Sequence, residues 1–144
     1  MTVAAVAERD GKFLLVEEET DEGLRYNQPA GHLERGESLF DAVVRETLEE
    51  TGHAFVPSAL VGVYHWHRAA GDLTYVRFAF AGAVSGYDAA RPLDQGIVAA
   101  HWLSFGEIRA LAQAGRLRSP LVMACIEDWR AGQRHPLDVV KYMA

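Results

Sequence analysis

The chain has one cysteine, Cys125, in 144 residues, so no disulfide can close within it. A lone thiol fits a reducing compartment. Positive charge is also scarce: 14 Lys and Arg stand against 20 Asp and Glu, for a net charge of −6. That balance argues against a footprint on a nucleic acid polymer. No apolar run approaches the roughly 20 residues that cross a bilayer. The opening "MTVAAVAERDGK" lacks the cationic start and long apolar stretch of a secretory leader. Repeats, low-complexity tracts and linkers are missing as well. These absences set the expectation of a cytoplasmic protein, monomeric or weakly oligomeric, that needs neither nucleic acid nor membrane. The length suits one domain, residues 1–144, with a core of its own.

What is present reads as strands, then a helix, then strands and helices. "TVAAVAER" and "KFLLVEE" are strand-like and are joined by Asp10-Gly11, a hairpin signal. "TDEGLRYNQPAGHLERGES" reads as a long shaped loop. A helix follows, with Ser38 as its N-cap and Gly52 as its stop. "ALVGVYHWH", "LTYVRFAFAGAV" and "IVAAHWL" are β-branched and aromatic enough for strands. "SFGEIRALAQAG" opens on a capping box, Ser104 with Glu107. "SPLVMACIEDWRAG" opens on Ser119 and Pro120, a cap and a first-turn proline. That order predicts an α/β (α+β) fold, a mixed sheet between helices.

The helix beginning at Leu39 carries the strongest signal. Glu46, Glu49 and Glu50 fall within roughly a 100° arc of it, beside an apolar arc from Leu39 to Leu48. Two carboxylates at helical neighbour distance repel by roughly 3 kcal/mol at an effective dielectric near 20. A hard divalent cation such as Mg²⁺ reverses that sign. By itself an acidic helix face is an ordinary solvated surface. Its surroundings change the reading. Gly31, Glu37, Arg45, Glu46, Glu49, Glu50 and Gly52 spell G-x5-E-x7-R-E-x-x-E-E-x-G. Chance supplies such a run with odds on the order of 10⁻⁶.

On this run, residues 31–53, the chain resembles the Nudix hydrolase family. The resemblance implies an α/β/α sandwich around a mixed sheet. It also implies Mg²⁺-assisted hydrolysis (with Mn²⁺ as a substitute) of a nucleoside or other organic diphosphate. "NQPAGHLE", "LRSPLV" and "GQRHPLD" are similar to one subgroup, the NudJ-type phosphatases. These release orthophosphate from nucleoside tri- and diphosphates and from phosphorylated thiamine precursors, so hydroxymethylpyrimidine diphosphate and thiamine diphosphate are expected substrates.

By the same resemblance, Glu46, Glu49 and Glu50 bind metal and serve catalysis. In several relatives the glutamate that Glu46 matches also orients or deprotonates the attacking water. The carbonyl of Ala30 is a further metal ligand, and Glu37 with Arg45 forms a structural ion pair. The family often adds a carboxylate before the last strand, and Asp94 is the one this chain offers there. Thr47 and His53 stand where the family has hydrophobic residues. A threonine keeps a methyl and can bond within the helix, and His53 would cover the sheet edge.

Three residues are candidates for substrate. Trp66 shares a strand face with Tyr64 and could stack on a ring. Arg77, between apolar neighbours in a strand, is expected to face solvent or a phosphate. His32 sits beside the metal loop. Arg118 and Ser119 are weaker candidates. Two alternatives stand beside the phosphatase reading: a pyrophosphohydrolase of another organic diphosphate, and a non-catalytic Nudix-fold binding module. Retention of every glutamate of the run argues against the module.

Overall fold

A computed structural model describes all 144 residues. Seven strands alternate with three helices: β1 (Thr2–Arg9), β2 (Lys12–Thr20), β3 (Gly23–Asn27), β4 (Ala30–His32), α1 (Leu39–Thr51), β5 (His53–Arg68), β6 (Leu73–Tyr87), β7 (Ile97–Ser104), α2 (Phe105–Gln113) and α3 (Pro120–Arg130), then a 3₁₀ turn at Leu137–Val139. All strands belong to one mixed sheet. β1 runs parallel to β6 and antiparallel to β4, and β6 runs antiparallel to β5. β2 carries β3 and β7, both antiparallel. The β1–β2 turn takes positive φ at Asp10 (54°) and Gly11 (80°), as a two-residue hairpin turn requires.

Period-two alternation in β1 sends side chains to two cores. Val3, Ala5 and Ala7 join Leu14, Phe55, Leu60 and Phe80 under Ala42 and Val43 of α1. Val6 joins Phe13, Leu15, Val61 and Ala79 under Ile108 of α2 and Cys125 and Ile126 of α3. Helices therefore cover both faces, and the fold is the expected sandwich around a mixed sheet. No helix is long and apolar enough to cross a membrane.

The helix ends follow the sequence. Ser38 Oγ accepts from the Asp41 N–H at 3.1 Å, and Gly52 donates back to the Leu48 carbonyl. Ser104 and Glu107 complete a reciprocal capping box, and Ser119 caps α3 ahead of Pro120. Thr47 is fully buried and donates to the Val43 carbonyl at 2.7 Å. His53 is buried too. It stacks on Tyr87 at 4.6 Å between ring centroids and meets the edge of Trp102.

Two expectations need correction. The stretch 20–38 is not one loop: it contains β3 and β4, short strands that pair with β2 and β1. The strand expected from Ala59 begins at His53, six residues earlier, and passes Pro57 at a register shift. A proline is tolerated there because β5 is an edge strand with a bulge at that point.

Candidate active site

The site is organised by β4, a three-residue strand that lies beside β1 and feeds into the loop before α1. Its register places Ala30 opposite Ala4. The Ala5 N–H bonds to Pro29 O, so the next pair, Ala4 with Ala30, is one that does not exchange ladder hydrogen bonds. The N–H and C=O of Ala30 therefore point away from β1. The N–H is taken by Glu50 Oε1 at 2.9 Å. Gly31 follows. A Cβ at Gly31 would overlap the carboxyl group of Glu46, so glycine lets that carboxyl lie directly against the strand.

Helix α1 presents its carboxylates to that strand, with Arg45 binding them together. Arg45 Nε lies 2.7 Å from Glu37 Oε2, and Nη1 lies 2.9 Å from Glu46 Oε1 and 3.3 Å from Glu49 Oε2. Glu34 reaches the same nitrogen at 3.5 Å, and Nη2 donates to the His32 carbonyl at 3.2 Å. One guanidinium thus joins the loop, the end of β4 and the helix. Its hydrogen bonds hold the Glu37 carboxyl below the usual range.

The three glutamates of α1 do not share one environment. Glu46 and Glu49 bring carboxylate oxygens within 4.8 Å of each other and of Asp94, whose own N–H bonds to the Glu49 carbonyl at 3.0 Å. Asp94, from the loop before β7, is thereby fixed against the end of the helix. Glu50 stands apart from that trio and holds the Ala30 peptide. Burial pushes its pKa up to about 8 against the effect of the Ala30 N–H, with Glu46, Glu18 and Asp94 adding to the rise. Burial is also the largest cause of the raised pKa of Glu46.

The donor set suits a hard divalent cation. Three carboxylates converge with no cation other than Arg45 among them, and all the available ligand atoms are oxygens. At Gly31 the backbone of β4 lies against one of these carboxylates, that of Glu46.

A cleft of about 330 Å³ opens on the other side of β4. Ala30 and Gly31 form the wall shared with the acidic cluster, and the carboxylates of Glu46, Glu49 and Asp94 lie outside the cleft lining. Thr2 pairs with both His32 and Arg77, and Arg77 pairs with Tyr64, so these four residues make one row across β4, β1, β6 and β5. Trp66 and Tyr75 form the row two residues further along, about 7 Å away. Their rings stack at 5.5 Å. Trp66 also lines a second, more apolar hollow with Leu117 and Met123.

Of the two expectations for Arg77, solvent or a phosphate, burial removes the first: it is only 5% exposed. Nη1 donates to Gln28 Oε1 at 2.8 Å and Nη2 to Asn27 Oδ1 at 3.1 Å. Further cations stand around the cleft. Arg118 lies 3.3 Å from Glu18, and Arg25 and Arg68 both face Glu22 at 3.7–3.8 Å. His32 is exposed at the rim, and Ser119 lines the wall. Sequence reasoning gave no role to Glu18, Asn27 or Gln28. "NQ" stood in a quoted motif, but its partner Arg77 lies some fifty residues away.

Comparison with known proteins agrees with this arrangement. A family model described as the NUDIX domain matches residues 1–124. The chain is 41% identical to "Phosphatase NudJ" of Escherichia coli K12 over 141 residues, covering 97% of this chain and 89% of that one. A solved structure, "NUDIX hydrolase from Nitrosomonas europaea", superposes with a TM-score of 0.94 at 55% identity, covering 99% of this chain and 95% of that one. "MutT NUDIX hydrolase from Burkholderia pseudomallei" shares the fold at a TM-score of 0.70 and 23% identity, over 88% of this chain and 95% of that one. With the glutamate run on α1, the strand–helix contact at Gly31 and these likenesses together, the chain belongs to the Nudix hydrolase family.

Proposed function

We propose that this protein is a Mg²⁺-dependent phosphohydrolase that releases orthophosphate from nucleoside tri- and diphosphates and from hydroxymethylpyrimidine or thiamine diphosphate. The observation that carries the reading is the convergence of Glu46, Glu49 and Asp94 within 4.8 Å, one strand away from a cleft that contains Arg77 and Trp66. Bound magnesium would polarise phosphate oxygens and lower the pKa of a water, and manganese would serve as well.

The chain's own residues do the rest. Glu46, Glu49 and Asp94 are the ligands we assign to the cation, with the Ala30 carbonyl beside them. Arg45 holds Glu46 and Glu49 in place through Nη1. We assign to Glu46, the more buried of the two, the orienting and deprotonation of the attacking water. Glu50 fixes the peptide of Ala30 and so the direction of its carbonyl. Arg77 on the cleft floor receives phosphate, and Arg118 supplies further positive charge at the wall. Trp66 takes the face of the organic ring, one row from Arg77. Stacking tolerates many rings, because every heteroaromatic base has a π-face. His32 stands at the cleft rim, and its carbonyl accepts from Arg45 Nη2. All these groups come from one chain, so the reading needs no second copy.

Release of orthophosphate has the support of the likeness to "Phosphatase NudJ". The test is a panel of ATP, ADP, CDP, thiamine diphosphate and a nucleotide sugar, with magnesium or EDTA, assaying orthophosphate and pyrophosphate separately. Magnesium-dependent orthophosphate from the nucleotides and thiamine diphosphate is expected. Pyrophosphate as the main product would overturn the phosphatase reading in favour of a pyrophosphohydrolase.

A further inference from the structure

Arg77 is a buried cation whose side-chain partners are all neutral. Its Nη1 donates to the amide oxygen of Gln28, its Nη2 to that of Asn27, and Nη1 approaches Cys125 Sγ at 3.9 Å. Burial pushes the Cys125 thiol up, which keeps it protonated. No carboxylate lies within ion-pair distance of Arg77, whereas nine contacts of that kind occur elsewhere in the chain, made by Arg25, Arg45, Arg68, Arg118, His67 and His101. Glu18 is close enough to feel its charge, but Glu18 faces Arg118 at 3.3 Å. Desolvating a guanidinium without a counter-ion is unfavourable, and buried charges are ordinarily paired.

We propose that Asn27 and Gln28 are positioning residues that hold Arg77 as an un-neutralised receptor for the phosphate of an organic phosphate substrate. The proposal rests on the phosphohydrolase reading and deepens it. An amide oxygen fixes a guanidinium by hydrogen bonding as a carboxylate does, but leaves its charge available to a ligand. Gln28 suits that task because its other end is tied down: it is 1% exposed, and Nε2 donates to the Val122 carbonyl of α3 at 2.8 Å. Asn27 closes β3, and Pro29 leads directly into Ala30 and Gly31. The five residues 27–31 therefore clamp Arg77 at one end and cradle the acidic cluster at the other. The orientation of the phosphate receptor and the position of the cation site are set by one short piece of backbone. That gives the "NQPAG" stretch a physical task that a plain turn would not need.

The test replaces an amide oxygen by a carboxylate of nearly the same shape. In Asn27→Asp and Gln28→Glu, Arg77 gains a counter-ion without leaving its place. KM for ADP is expected to rise about tenfold or more, with kcat changed much less and Tm no lower than wild type. The dissociation constant of ADP, measured by calorimetry without divalent metal, should weaken in parallel. Asn27 is only half-buried, so Asn27→Asp carries the test even if Gln28→Glu does not fold. Asn27→Asp with KM and ADP affinity unchanged would overturn the proposal. So would a lowered Tm with unchanged KM, the mark of a merely structural role. The two readings fail separately: absence of magnesium-dependent phosphate release by the wild type sinks the hydrolysis, whereas ADP affinity in the variants decides the part played by Asn27 and Gln28.

Discussion

Arg45 and Arg77 are two partly or wholly buried guanidinium groups on either side of β4, and they are treated in opposite ways. Arg45 has four carboxylates within 4.0 Å: Glu34, Glu37, Glu46 and Glu49. Arg77 has none, and bonds to two amide oxygens instead. Arg45 is more exposed, with 22% of its side chain accessible, yet it is the one whose charge is fully compensated. Arg77 is more buried, yet uncompensated. Burial alone would predict the reverse. The difference separates a cation that assembles the fold from one whose charge the fold leaves open. The acidic trio shows the complementary imbalance, with negative charge in excess of what Arg45 can balance. Surplus charge of opposite sign on the two sides of β4 fits a phosphate and a divalent cation bound side by side.

The largest expected effect lies on the acidic side. Glu49→Gln removes one oxygen of the trio and one contact to Arg45 while preserving shape. kcat should fall by at least about 10²-fold, with little change in melting, because like-charge repulsion is relieved as the Arg45 contact is lost. Near wild-type turnover, measured as phosphate release at saturating magnesium, would remove the trio from the mechanism.

Arg45→Met comes next, and its effect is on stability. Exposed pairs contribute about 0–1 kcal/mol and broken buried pairs cost about 3–5, so this half-shielded network should fall near 2 kcal/mol. For a chain of this size that is about 5–10 °C in Tm. Glu37→Gln measured alone and with Arg45→Met completes a double-mutant cycle. Strict additivity would show that the pair, at 2.7 Å, contributes nothing of its own.

Trp66→Ala has the smallest expected effect and sharpens the cleft side. It should raise KM about tenfold for all ring substrates with little discrimination among them, since a stacked ring contributes about 1–3 kcal/mol whatever its edge groups. If every KM stays the same, Trp66 merely packs on Tyr75, its partner at 5.5 Å.

Local signals in the sequence translated well into structure. The caps at Ser38, Ser104 and Ser119 act within one helical turn, so their chemistry is legible from a few neighbouring letters. The Asp10-Gly11 turn is equally local. The acidic run on α1 was visible because helical periodicity alone puts Glu46 beside Glu49. What escaped depends on distant partners. β4 is three residues long and exists because β1 lies alongside it, and Gly and Pro in its flanks mimic a loop. The strand start at His53 was hidden by Pro57, which only an edge position excuses. Periodicity placed Glu50 with its two neighbours, whereas the Ala30 N–H draws it away from them. Asp94 was named from its place before β7, but the hydrogen bond from its N–H to the Glu49 carbonyl, across 45 residues, is not a local signal. The burial of Arg77 was not legible because Asn27 and Gln28, which shelter it, are remote in sequence.

Melting of Arg77→Met with and without ADP tests most directly whether the uncompensated charge serves a ligand. Removing an unpaired buried cation offsets the loss of its two hydrogen bonds, so the free variant should melt no lower than wild type. ADP, which raises Tm further the more tightly it binds the native state, should stabilise the wild type and leave Arg77→Met unmoved. A variant that melts lower but keeps the full ADP shift would show that Arg77 packs the cleft floor and receives no phosphate.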